Sequence, residues 1–348
     1  MSSRRRLASA LLLLTGAALV AGCGQDAPDR PSTPERGAAA EGDAFPVTLQ
    51  HEYGETTVPE QPQRVVTVGV TEQDVVLQLG VVPVAVTEWY GDQPSATWPW
   101  AHDLLDGAEP EVLRTDDGFE LEKIAALAPD LIIGTNAGLS RQEYELMAQI
   151  APTVPSVPPG TGVTPFFSSW REQTVQIARA LGREDDGRRI VADLEARYAE
   201  VAAAHPEWAG RTATFAQGGP YDGLLYVYPP GLSTDFLTDL GFTITTGFES
   251  FVPQVGAQAE ISAENVSLID ADVVVFATES AEQFEQLQGF GTLGTLDAVT
   301  GGRSVYTDEV LAGALYFDTP LAHAYVLDHL VPALELAAAG RAPREYPA

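Results

Sequence analysis

The stretch "LEKIAALAPDLIIG", residues 121–134, decides how this chain folds, because a looser copy, "AENVSLIDADVVVF", occupies residues 263–276. Glu122 matches Glu264, Ile124 matches Val266, Leu127 matches Ile269 and Asp130 matches Asp272. Three apolar residues then follow in each copy, 131–133 and 273–275. Each copy reads as a short helix, a turn and a buried strand. The apolar positions are core. The glutamate at the head of each copy is not explained by core packing.

The flanks of each copy extend the same alternation. Before the first copy, "RVVTVGV" from Arg64 is a β-branched strand, "EQDVVLQLG" has helical spacing and a glycine stop at Gly80, and "VPVAV" is a second strand. After it, Ser140 and Glu143 make a capping box, and Thr153 and Val154 begin a further strand. The second copy is framed alike. "RTATFAQ" from Arg211 is a strand, "STDFLTDLG" a helix stopping at Gly241, and "FTIT" a strand. Ser280 and Gln283 then cap a helix, and "RSVYTD" from Arg303 closes the set. Strands alternating with helices predict parallel sheets with helices on both faces.

Between the halves, "SSWREQTVQIARALG" carries a Ser169/Glu172 cap and helical apolar spacing, and a second helical pattern follows it. The fold class expected is therefore α/β: two Rossmann-like lobes with mostly parallel central sheets, joined by a single rigid helix, with a ligand cleft between them. The expected boundaries are an N-terminal lobe over 46–167, a linker helix over 168–182, a C-terminal lobe over 183–317, and a final helix over 318–340 packing back on the N-terminal lobe.

The N-terminal end has its own logic. Arg4, Arg5 and Arg6 precede a short apolar run that ends in "LVAGC", with Cys23 the only cysteine of the chain. A run of that length is too short to span a bilayer comfortably, and the pattern is that of a bacterial lipoprotein signal. Residues 1–22 are thus expected to be a signal peptide. Cys23 is expected to carry lipid and anchor the protein on the extracytoplasmic face of the cell membrane. The polar, Pro- and Ala-rich segment 23–45 is expected to be a flexible tether. With no second cysteine, stability must come from a packed core.

The formal charge is −30, from 49 acids and 19 bases, so nucleic acid is a poor partner. Between Arg211 and Arg303 there is no Lys or Arg, against twelve Asp or Glu. The five histidines do not cluster as a metal site would require. There is no G-x-S-x-G, no P-loop and no G-x-G-x-x-G after a strand, so no enzyme is expected, and no cofactor.

Several features together resemble the helix-linked (class III) substrate-binding proteins of ABC importers for iron-siderophores, haem and vitamin B12. They are "PQRVV" from Pro62, "LEKIAALAPDLIIG", its counterpart "AENVSLIDADVVV", the central helix and the lipoprotein signal. The resemblance covers roughly residues 58–336. It implies a monomer that delivers its ligand to a permease dimer and its ATPase, with a surface glutamate on each lobe docking onto permease arginines. By motif those glutamates are Glu122 and Glu264. One anchor per lobe also suits a twofold partner, and carboxylate–guanidinium pairs are directional.

Ligands of such sheets bind beyond the carboxyl ends of the strands. The loop after the second strand holds Trp89, Tyr90, Trp98 and Trp100, three of the chain's five tryptophans within twelve residues. Asn136 and Arg141 follow the motif strand, and Phe166, Phe167 and Trp170 lie near the central helix. The second half offers Tyr221, Tyr226, Tyr228, Phe248, Phe251, Tyr306, Tyr316 and Phe317. Alternation makes Tyr226 and Tyr228 point the same way, both toward the cleft or both toward the core. An aromatic, cation-poor cleft suits a neutral or cationic ferric hydroxamate better than an anionic catecholate. Haem and cobalamin also suit aromatic clefts and stay open as ligands.

Overall fold

A computed structural model describes residues 44–157 and 168–347. The predicted signal peptide, Cys23 and the candidate rings Phe166 and Phe167 lie outside the described residues.

The first lobe opens with a hairpin of β1 (Val47–His51) and β2 (Gly54–Val58). Its main sheet contains β3 (Val65–Thr67), β4 (Ala85–Thr87), β5 (Glu111–Leu113), β6 (Leu131–Gly134) and β7 (Thr153–Pro155). They are all parallel and ordered β5-β4-β3-β6-β7. The connecting helices are α1 (Glu72–Gln78), α2 (Pro99–His102), α3 (Leu121–Ala126) and α4 (Arg141–Met147). The second sheet is ordered β11-β9-β8-β12-β13, with β10 also paired to β8. Its strands are β8 (Thr212–Gln217), β9 (Leu224–Tyr228), β10 (Thr243–Ile244), β11 (Ala259–Ser262), β12 (Val273–Ala277) and β13 (Ser304–Tyr306). Its antiparallel ladders are β11–β9 and β9–β8, and the other pairs are parallel. The remaining helices are α5 (Trp170–Ala180), α6 (Glu184–Ala204), α7 (Asp235–Asp239), α8 (Ala281–Gln288), α9 (Asp297–Thr300), α10 (Glu309–Phe317) and α11 (Pro320–Ala338).

The repeated motif has a physical reason in both lobes. Asp130, at the head of β6, accepts the backbone N–H groups of Gln63 and Arg64 at 2.8 Å each. Asp272, at the head of β12, accepts the N–H of Thr212 at 2.9 Å and its hydroxyl at 3.0 Å. Each aspartate therefore clamps the start of the neighbouring strand, β3 or β8. It brings two strands level, so that they also end level. The predicted caps form as read. Ser140 and Glu143 make a full capping box, and Ser169 and Ser280 accept from the N–H of Glu172 and Gln283.

Three boundaries differ from the sequence reading. The expected linker, 168–182, packs along the first lobe, where Ile177, Ala178, Ala180 and Leu181 join the core of Leu49, Val75, Leu131 and Ile133. The chain turns at Gly182 (φ +68°), and both α5, through Trp170 in the second core, and α6 reach the two cores. Ile190 touches the first core, while Leu194 and Tyr198 lie inside the second. The final helix, α11, belongs chiefly to the second lobe: Val326, Leu327, Leu330 and Leu334 pack with Phe215, Val273 and Val275. Its first two turns reach back to the first lobe, through Leu321 to Leu77 and Ala101 and through Tyr325 to Trp100. Phe45, placed in the tether by composition, packs against the first core, because an aromatic ring has more to gain from burial than the polar residues before it.

The lobes meet over one indole. Trp98, from the first-lobe loop, is 1% exposed and sits in the second-lobe core. Glycines let it in: a Cβ on Gly91 would stand 2.7 Å from its ring and one on Gly313 2.6 Å. A Gly313→Ala variant should therefore lose about 1–3 kcal/mol of stability through overpacking, measured by urea unfolding. An unchanged midpoint would mean that the seat of Trp98 is not tight.

Candidate functional site

In both sheets the strand order reverses beside the motif strand: between β3 and β6 in the first lobe, and between β8 and β12 in the second. Such a point leaves a crevice beyond the carboxyl ends of the strands, where ligands of doubly wound sheets bind. The two crevices are filled differently.

In the first lobe the crevice holds a carboxylate of the chain itself. Glu72, 1% exposed, accepts the N–H of Asn136 at 2.6 Å and the N–H of Thr71 at 3.2 Å. The amide of Asn136 donates to the Thr71 hydroxyl at 2.9 Å. A Cβ on Gly69 would come within 2.0 Å of the Glu72 carboxylate, so only glycine fits there. Asn136, read from the sequence as a ligand contact, thus holds Glu72 in place, although its buried side-chain oxygen has no partner among the described residues. Two residues on, Asp74 is fully buried between the lobes. Its Oδ2 accepts the Trp100 indole N–H at 2.8 Å and the Thr319 hydroxyl, from the N-cap of α11, at 2.6 Å.

In the second lobe the crevice is open. Residues 217–221 after β8 and 279–286 after β12 line a pocket of about 590 Å³, together with Tyr316. The backbone at Gly218 runs so close to β12 that a Cβ would lie 2.1 Å from the Ala277 carbonyl.

The predicted aromatic residues separate into two groups. Trp89, Tyr90, Tyr316, Tyr228 and Phe215 form a connected series from lobe to lobe, with centroid distances of 4.9 Å for Trp89–Tyr90, 6.2 Å for Tyr90–Tyr316 and 6.5 Å for Tyr316–Tyr228. Trp89 is 44% exposed and Tyr221, at the pocket rim, 67% exposed, so both can meet a ligand directly. The Tyr90 hydroxyl is buried with no hydrogen-bond partner among the described residues. Burial first, then the negative charge of Glu279, pushes the pKa of this phenol well up and keeps it protonated.

Other rings are structural, contrary to the sequence reading. Trp98 and Phe317 are buried at the junction of the lobes, packed edge to face at 5.8 Å. Trp100 stacks on Trp98 at 5.2 Å and spends its indole N–H on Asp74. Phe251, with Phe248 and Tyr306, packs into the core on the other face of the second sheet. Trp170 is buried and lies 5.2 Å from His323. Tyr226 and Tyr228 share the face that alternation required, since Leu225 and Val227 are buried in the opposite core. Tyr228 stacks on Phe215 at 4.5 Å, while Tyr226 takes no part in the series among the described residues. Arg141 turns away from the rings and lies over Tyr53, 5.0 Å from its centroid. The pocket-lining residues Gln217, Glu279, Glu282, Gln283 and Gln286 were not singled out by the sequence reading. Their only signal was their place just after two motif-paired strands.

Glu122 and Glu264 are both exposed, each at the start of the turn leading into β6 or β12. Neither has a hydrogen-bond or ionic partner among the described residues. Glu120, the alternative to Glu122, is engaged by the N–H of Arg114 and by Lys123. Among the described residues no group of three His, Cys, Asp or Glu is placed to hold a metal ion, and no helix is long and apolar enough to cross a membrane.

The family model for periplasmic binding proteins matches residues 65–311, from β3 to the start of α10. The chain belongs to that family. A periplasmic solute binding protein of Mycobacterium smegmatis is 38% identical and superposes with a TM-score of 0.77, covering 84% of this chain and 98% of that one. PiaA of Streptococcus pneumoniae, solved with ferrichrome, is 25% identical with a TM-score of 0.69, covering 84% and 99%. The probable siderophore-binding lipoprotein YfiY of Bacillus subtilis is 26% identical over 76% of this chain and 81% of its own. In this chain Tyr90 of the first lobe meets Tyr316, which lines the second-lobe crevice.

Burial pushes Asp74 up to about 6 and Glu72 up to about 7. The unfolded chain releases these protons near pH 4, whereas the folded protein keeps them longer. In that window the unfolded state binds fewer protons, so these groups make stability fall as pH rises. Two pH units correspond to about 3 kcal/mol. Urea unfolding of Asp74→Asn, whose amide oxygen can still accept from Trp100 and Thr319, should gain on the wild type between pH 4 and 6. It should show no further gain above that. A difference between the two proteins that does not vary with pH would contradict the assignment.

Proposed function

We propose that this protein captures a ferric siderophore in the cleft between its lobes and hands it to an ABC importer. The observation that carries the reading is the aromatic series ending at an open crevice whose lining contains no Lys or Arg. The relatives point the same way, since YfiY is described as siderophore-binding and PiaA was solved with ferrichrome. A ferric catecholate or carboxylate complex is anionic and would meet uncompensated carboxylates here. A ferric trihydroxamate is neutral at the metal and presents methylene linkers to rings, so hydroxamates of neutral or positive charge fit best. Exposed Trp89 and Tyr221 supply flat apolar contact, and the Tyr90 hydroxyl supplies a donor. Haem or cobalamin would share the rings and are the second choice.

Delivery rests on the two exposed glutamates. Glu122 and Glu264 occupy matched places in the two lobes, unpaired, as a twofold permease with its ATPase would require. Lipid on Cys23 would hold the protein at the membrane, with the segment before Phe45 as its tether.

Tryptophan fluorescence titration with ferric hydroxamates, a ferric catecholate, haemin and cobalamin tests the cargo. Saturable quenching at submicromolar concentration is expected for a hydroxamate, and at least tenfold weaker binding for the catecholate. Tighter binding of the catecholate would discard this reading of the cleft. Glu122→Ala with Glu264→Ala should leave ligand affinity within about twofold while lowering uptake by cells at least tenfold. Undiminished uptake would remove both residues from docking.

A further inference from the structure

The two lobes carry the same crevice, and only one is occupied by the chain. In the first, the Glu72 carboxylate fills the gap between β3 and β6 and is satisfied there by backbone N–H groups. In the second, the equivalent gap between β8 and β12 is a pocket of about 590 Å³, within the range of small-molecule sites. Two carboxylates, Glu279 and Glu282, enter its lining, with no cation beside them. Each is steadied by an amide of α8: Gln283 donates to Glu279 at 2.9 Å and Gln286 to Glu282 at 3.4 Å. In both cases the second carboxylate oxygen makes no bond among the described residues. The α8 N-terminus would ordinarily favour an anion at this spot. Here one of its donors is taken by the chain, because Ser280 accepts the Gln283 N–H, and the Gln283 side chain accepts the Glu279 N–H just before the helix. Tyr221 and Tyr316 line the same pocket, and aromatic rings attract cations. The Tyr90 hydroxyl, buried and unpartnered, belongs to the ring that meets Tyr316 from the other lobe.

Resting on the siderophore reading above, we infer that the second-lobe crevice binds a positively charged tail of the iron complex, a primary ammonium group, with Glu279 as its counter-charge and Glu282 in support. The rings from Trp89 to Tyr228 would then hold the body of the complex, and the crevice would select among complexes that are identical around the metal.

Three ferric trihydroxamates separate the outcomes: a linear one ending in a primary ammonium, the same complex with that amine acetylated, and an uncharged macrocycle. Their dissociation constants are measured by calorimetry on the whole protein and on Glu279→Gln and Glu282→Gln. The ammonium form should bind at least tenfold more tightly than the acetylated one, and the ratio should shrink as salt rises. Glu279→Gln should bring the two forms within about twofold of each other, and Glu282→Gln should narrow the gap less. Retained binding of the acetylated form by the variants reports that they are folded. Equal wild-type affinities for all three, or a ratio unmoved by Glu279→Gln, would overturn the inference and leave the siderophore reading standing. Failure of all three to bind the wild type would overturn both.

Discussion

The site depends on one indole seated in the wrong lobe. Trp98 leaves the first-lobe loop and is buried among residues of the second, between the close backbones at Gly91 and Gly313. Everything that faces the cleft is measured from it. Tyr90 packs on it at 5.2 Å, Trp100 stacks against its other side, and Phe317 abuts its edge. Asp74 then ties this same loop to the N-cap of α11 through Trp100 and Thr319. Burying an indole stabilises by about 2–3 kcal/mol, and the hydrogen bonds to a buried carboxylate add to that. The lobes are held together by this junction as well as by α6.

The clamp at Asp130 and Asp272 works at the other end of the sheets. By gripping the start of the neighbouring strand, each aspartate sets the register of β3 on β6 and of β8 on β12. Level starts give level ends, and level ends make a crevice. The repeated motif is therefore a device for building the same gap twice. The chain spends one gap on its own glutamate and leaves the other open.

Much of this was legible in the sequence because it is local. Periodicity and the two motif copies marked the parallel strands, and Ser140, Ser169 and Ser280 marked three helix starts. Loops gave less. Trp89, Trp98 and Trp100 are equivalent in composition, and no periodicity in an irregular loop says that Trp98 turns inward while Trp89 stays half-exposed. Phe251 misled for the same reason. Glu72 and Asp74 read as ordinary first-turn acids of a helix, a place where acids are usually solvated. Their burial follows only from the approach of Asn136 and Thr319, which lie far along the chain. The polar crevice residues were invisible as a group because α8 and the turn after β8 are joined only by the sheet.

The inter-lobe junction has a consequence for timing. A binding protein whose lobes swing apart must wait for its open form, and its association rate then reports a hinge. Here opening would expose Trp98 and strip Asp74 of its Thr319 donor, while the second-lobe crevice already faces solvent. Ligand entry is then a single encounter whose speed is set by diffusion and by the field of the crevice. Residence is set by contacts alone. Entry and exit then share one path, so rapid unloading would require an outside agent that competes for those contacts rather than one that waits for the lobes to flex.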